Sequence, residues 1–205
     1  MAHDDRRRFA RVNGDGVADG TEIGRSQKSG MEQFYAGSTV TELIRRLSVP
    51  VLVYKPVSEN PFITGTPFQR PLIATDWSPA SLRAVDYMLE LKPLIEEVRL
   101  VHVVDEDAIE GASVMSAQKT RKDVKARMEA ICSRFLAAGI AARSHVYVGD
   151  AEDEIEKAAK ECQATVVVLG SSSKNLWAER WIGSTPRGVA EKSAFPTLLI
   201  PPAVP

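Results

Sequence analysis

Small and hydroxylated residues crowd the stretch from Gly170 to Pro186, and their spacing suits the holding of an anion. Gly170 closes the apolar, β-branched run Thr165 to Leu169, which reads as a strand buried on both faces of a parallel sheet. After a polar loop comes Gly183-Ser184-Thr185-Pro186. A small residue there permits close approach, a hydroxyl caps a helix, and proline suits the first helical turn. A strand end and a helix start joined by such a loop make an anion cradle, because the unpaired N–H groups and the helix dipole both favour a phosphate. The same spacing also serves a plain strand-to-helix connection.

Other chemistry is sparse. The chain shows no serine-hydrolase elbow, no Walker lysine motif and no carboxylates paired for acid/base work. His102 and His145 sit inside strand-like runs without a cysteine or second histidine at ligand spacing, which suits structural roles. Cys132 and Cys162 fall on apolar helical stripes, as buried small hydrophobes do. Lys174 reads as a phosphate partner or a solvated loop lysine, and Trp177 and Trp181 as a lid, a partner surface or local packing.

The elements that must position the cradle follow an alternating pattern. Pro71 to Thr75 reads as a strand closed by Asp76 and the turn Trp77-Ser78-Pro79, with Ser78 as cap and Pro79 at the first helical position. Leu82, Val85 and Leu89 line a helix face; Val98 to Val104 is a strand; Val124, Met128, Ile131 and Phe135 mark a helix over 114–138 that ends at Gly139. Arg143 to Val148 alternates like an edge strand, and Asp150 to Cys162 is a short helix. That order is doubly wound α/β, whose right-handed crossovers place all strand C-termini on one edge.

Upstream, the segment from Ile23 to Pro56 lies without a gap on the segment from Leu169 to Pro202. Gly37, Pro50 and Pro56 precede Gly183, Pro196 and Pro202 by the same 146 positions. Two copies of one unit in tandem are expected, the first reduced to its last loop, helix and strand. The divisions read as a disordered tail over 1–22, a remnant of the first copy over 23–57, a linker over 58–70 and a complete domain over 71–202. Val40, Leu43, Ile44 and Leu47 mark the remnant's helix, and Pro50 to Tyr54 its strand. The Arg6-Arg7-Arg8 triplet reads as part of the solvated tail.

Charge nearly cancels, with 26 Lys+Arg against 27 Asp+Glu, so no electrostatic argument favours nucleic acid or an acidic membrane surface. No apolar run approaches the roughly 20 residues of a membrane-spanning helix, which makes the cytoplasm the default location.

The run Gly170, Ser173, Gly183, Ser184 resembles the G-x2-G-x9-G-[ST] pattern of nucleotide-binding universal stress proteins, with serine at the second glycine. A hydroxyl there retains a phosphate contact, while its Cβ limits positive φ and close backbone approach. The resemblance implies a five-stranded parallel sheet in the order 3-2-1-4-5, with helices on both faces and the N-terminal helix–strand remnant beside it. It implies a crevice between the ends of the first and fourth strands, at Asp76 and Gly170. There Asp76 would accept from ribose or base, Val103 and Val104 would offer backbone to the base, Gly170 and Ser173 would line the phosphate path, and Gly183, Ser184 and Thr185 would hold a phosphate. ATP or another adenine nucleotide, with or without Mg²⁺, is the implied ligand, and an unidentified protein the implied partner. A stress-response regulator results. The alternatives are an interaction protein of the same fold with an empty crevice, or a slow nucleotide hydrolase, for which no general base is identifiable. In this family the fifth strands of two domains pair antiparallel, so Pro50 to Tyr54 and Pro196 to Ile200 are expected to pair within one chain, or between two chains of a homodimer.

Overall fold

The computed structural model describes residues 49–53, 67–106, 114–171 and 184–201. Ser173, Lys174, Trp177, Trp181, Gly183, the tail and the helix read over 40–47 lie outside the described residues. The described strands and helices run β1 (Val51–Val53), β2 (Pro71–Ala74), α1 (Pro79–Glu90), a 3-10 turn (Lys92–Leu94), β3 (Glu97–Val104), α2 (Val114–Ala137), β4 (Ala141–Val148), α3 (Ala151–Glu161), β5 (Val166–Gly170), α4 (Ser184–Lys192) and β6 (Thr197–Ile200).

The strands form one sheet in the order β1-β6-β5-β2-β3-β4. β2 through β6 are all parallel, so the complete domain shows the expected 3-2-1-4-5 order. β1 alone runs antiparallel, with Val51 opposite Leu199, Leu52 opposite Leu198 and Val53 opposite Thr197. The expected antiparallel pairing is thus made within one chain, over Val51–Val53 and Thr197–Leu199.

Residues of β1, β2, β5 and β6 are buried almost without exception, because helices cover both faces of the central strands. On one face Leu72, Val101, Val167 and Leu199 pack with Ile155 of α3 and Val189 of α4. On the other, Ile73, Leu100, Val168 and Leu198 pack with Val85 and Met88 of α1 and with Met128 and Phe135 of α2. Val51 and Val53 join the first core and Leu52 the second, each burial worth about 1.5–3 kcal/mol against exposure.

α1 departs from its sequence reading at Leu82, while Val85 and Leu89 pack on the core as read. It buries Ala80, Ser81, Ala84, Val85 and Met88, while Leu82 is 37% exposed. Small residues face the sheet because the helix runs very close to the end of β5. At the domain's entry Phe68 is buried, and the Thr165 hydroxyl donates to the Pro67 carbonyl at 2.8 Å and accepts the Arg70 N–H at 2.9 Å. Residues 67–70, read as linker, are thereby tied into the domain.

Candidate functional site

Parallel pairing sets the C-terminal ends of β2 and β5 side by side, and the chain winds away from them in opposite directions. A crevice of about 500 Å³, including its open mouth, lies there. Its walls are apolar at Val101, Val103, Ile155 and Leu169, and polar at Thr75, Asp76, Ser81 and Thr185. Ala151 opens α3 and Thr185 and Pro186 stand in the first turn of α4, so two helix N-termini border the same space. At α3 the Asp150 carboxylate already accepts the Glu152 and Asp153 N–H groups at 2.9 and 3.2 Å, so an anion is favoured at the first turn of α4 instead.

The turn after β2 is held by its own hydroxyls. Ser78 N–H donates to Asp76 Oδ1 at 2.9 Å, and Ser78 Oγ caps α1 by accepting the Ser81 N–H at 3.2 Å. Thr75 Oγ1 lies 3.1 Å from Ser81 Oγ and accepts the Trp77 N–H at 3.1 Å. Burial pushes the Asp76 carboxyl up, but hydrogen bonds from the Ser78 hydroxyl and N–H and from the Ser81 hydroxyl outweigh it, leaving the group below its ordinary range. Asp76 is thus held as an acceptor.

Behind the turn, Trp77 adopts a left-handed conformation at φ 60°, and its ring lies 3.8 Å from that of His102, centroid to centroid. The Arg127 guanidinium sits 5.1 Å from the Trp77 ring centroid. His102 Nδ1 lies 2.8 Å from the Thr75 carbonyl, which only accepts, so Nδ1 carries the proton. Burial lowers the His102 pKa, opposed by that hydrogen bond and by Asp76, and assisted by Arg127. This stack fixes the backbone on which Asp76 stands.

Gly170 lacks a side chain for a packing reason. A Cβ there would come within 2.1 Å of the Ala80 carbonyl carbon and oxygen and 2.5 Å of the Ser81 nitrogen. The strand end touches the first turn of α1, and nothing larger fits.

Of the residues singled out from sequence, Asp76, Val103, Gly170 and Thr185 line the one crevice. Val104 does not line it; its carbonyl accepts the Gly149 N–H at 3.1 Å. Ser184 is exposed at the start of α4 and is not part of the lining, and Ser173 and Gly183 lie outside the described residues. Sequence reasoning missed Thr75, Ser81, Ala151 and Ile155. The hydroxyls beside Asp76 and three residues after Ser78 were the available signal for the first two. Among the described residues no cluster of histidine, cysteine and carboxylate side chains could hold a metal ion, and no helix is long and apolar enough to cross a membrane.

Comparison with known proteins agrees with this architecture. The chain is 26% identical over 153 residues to universal stress protein MJ0577 of Methanocaldococcus jannaschii, covering 65% of this chain and 94% of that protein. The MJ0577 structure superposes with a TM-score of 0.57, over 66% of this chain and 96% of that one. A universal stress protein from Archaeoglobus fulgidus, 23% identical, shares the fold with a TM-score of 0.63 over 86% of this chain and 58% of that one. Two more distant structures hold adenine nucleotides: a universal stress protein in complex with cAMP (24% identical, 64% of this chain and 95% of that one, TM-score 0.49) and one from Arabidopsis thaliana with AMP bound (16%, 65% and 91%, 0.48). The model of the universal stress protein family matches residues 67–201, which span all five parallel strands and the whole described lining of the crevice, and the chain belongs to that family.

Proposed function

We propose that this protein is a stress-response regulator that binds an adenine nucleotide, ATP or AMP among them, in the crevice between β2 and β5. The observation that carries the reading is the meeting of Asp76, Gly170 and Thr185 at one crevice with apolar walls, bordered by the first turn of α4. Val101, Val103 and Ile155 offer a surface for a flat base; Asp76 accepts from ribose or base; the first turn of α4 receives phosphate. Among the described residues no group is arranged as a general base, and binding, not turnover, is the activity proposed.

One observation favours a second reading. Gly170 is required by its contact with α1 whether or not a ligand is present, so this glycine serves equally an interaction protein with an empty crevice. Isothermal calorimetry separates the two. Titration with AMP, cAMP and ATP with Mg²⁺ is expected to show one site per chain, lost in Asp76→Ala; absence of heat at millimolar nucleotide would leave the interaction protein. Val103→Trp, which fills the apolar wall, is expected to abolish binding as well.

Residues 23–57 are proposed to be the remnant of a first copy of the same unit. The constant offset of the repeat supports this, as does the antiparallel pairing of β1 with its repeat counterpart β6.

A further inference from the structure

At the end of the sheet opposite β1, strand β4 has a neighbour on one side only among the described strands. It pairs with β3 along all eight residues without a bulge, and no described strand pairs with its other edge. Edges left open are ordinarily blunted by proline, lysine, a bulge or shortness. β4 has no proline, lysine or bulge and pairs over eight residues, and Arg143 is its one fully charged side chain.

Its side chains alternate between two environments. Ala142 packs on the α2 side, and Val146 and Val148, of the same parity, remain 47% and 50% exposed. Tyr147 packs on the α3 side, where its hydroxyl donates to Glu161 at 2.5 Å. Arg143, of the same parity as Tyr147, is exposed. Among the described residues Arg143 makes no ion pair, and the Glu161 carboxylate has no cation within ion-pair distance.

We propose that β4 is a homodimerisation edge, along which two copies of this chain pair antiparallel about a two-fold axis at His145 to form one continuous sheet. Because side chains alternate, only registers that oppose residues of equal parity keep the two α2 faces together. The register centred on His145 places Arg143 of one copy opposite Tyr147 of the other, Ser144 opposite Val146 and Ala142 opposite Val148. Arg143 then reaches the Tyr147–Glu161 pair, twice by symmetry, so that charges unpaired within one chain become two ion pairs between chains. The exposed valines gain cross-strand neighbours on the α2 face. Self-complementary charge is what selects a second copy over an unrelated strand.

The inference is independent of the nucleotide reading, and its test is sedimentation equilibrium on the full chain without nucleotide. A dimer is expected. Arg143→Glu and Glu161→Arg are each expected to weaken it about tenfold, and the double variant to restore it. Arg143 is exposed, so Arg143→Glu leaves the fold intact, which far-UV circular dichroism checks; should Glu161→Arg disturb Tyr147, the Arg143 variant and Val148→Lys carry the test. A chain that stays monomeric to about 100 µM overturns the proposal, as does a dimer whose affinity Arg143→Glu leaves unchanged.

Discussion

Gly170 shows how one residue serves packing and site together. Its Cα hydrogen faces the Ala80 backbone so closely that even a methyl group would have to displace α1 or β5. Gly170→Ala is expected to lower stability by about 1–3 kcal/mol, read from urea unfolding, with or without nucleotide. Titration of the neighbouring turn gives a second prediction. Both His102 and Asp76 have folded-state pKa values below their ordinary ones, 6.5 and 3.8, so in each window the unfolded chain binds more protons and stability falls as pH falls. The melting temperature is expected to decline first below pH 6.5 and again below 3.8. His102→Gln should flatten the first decline and Asp76→Asn the second; a rise in stability on acidification through either window would reverse the assigned signs.

At the scale of elements, the cap of α1 and the docking of β1 make separable contributions. Ser78→Ala removes the acceptor of the Ser81 N–H and is expected to cost about 1 kcal/mol in thermal or urea unfolding. Removing residues 1–57 deletes β1 and leaves β6 as a bare apolar edge. Light scattering is expected to show particles larger than the dimer, because such a chain has an open edge at each end of its sheet; a deletion with unchanged size and melting temperature would make the segment a passive tail. Most elements were legible from periodicity, since the β-branched runs and the stripe of Val124, Met128, Ile131 and Phe135 are buried as read. The face of α1 was legible in part, with Val85 and Leu89 packed on the core as read and Leu82 exposed. Periodicity favoured its large residues, whereas close approach at Gly170 requires the small ones, Ala80, Ser81 and Ala84. Strand ends also shifted, as at Thr165, whose hydroxyl and N–H tie it to 67–70 before the β5 ladder begins.

Over the whole molecule, the sheet order brings distant residues to one place. Asp76 and Gly170 meet because β2 and β5 are adjacent, a fact that no local pattern contains and that the family resemblance supplied. That Asp76, Val103, Gly170 and Thr185 line one crevice follows from the same adjacency. Ala151 and Ile155 were not legible, because an alanine and an isoleucine carry no chemical signal until α3 is laid over the strand ends. Val104, read with Val103 as offering backbone to a base, does not line the crevice, and its carbonyl accepts the Gly149 N–H. The central claim is that an adenine nucleotide occupies this space, and amide chemical-shift mapping of ¹⁵N-labelled protein titrated with AMP tests it most directly. Saturable shifts concentrated at Thr75, Asp76, Val103, Ala151, Gly170 and Thr185, and absent from Asp76→Ala, are the result the account predicts; no shifts at millimolar AMP, or shifts confined to residues away from the crevice, would contradict it.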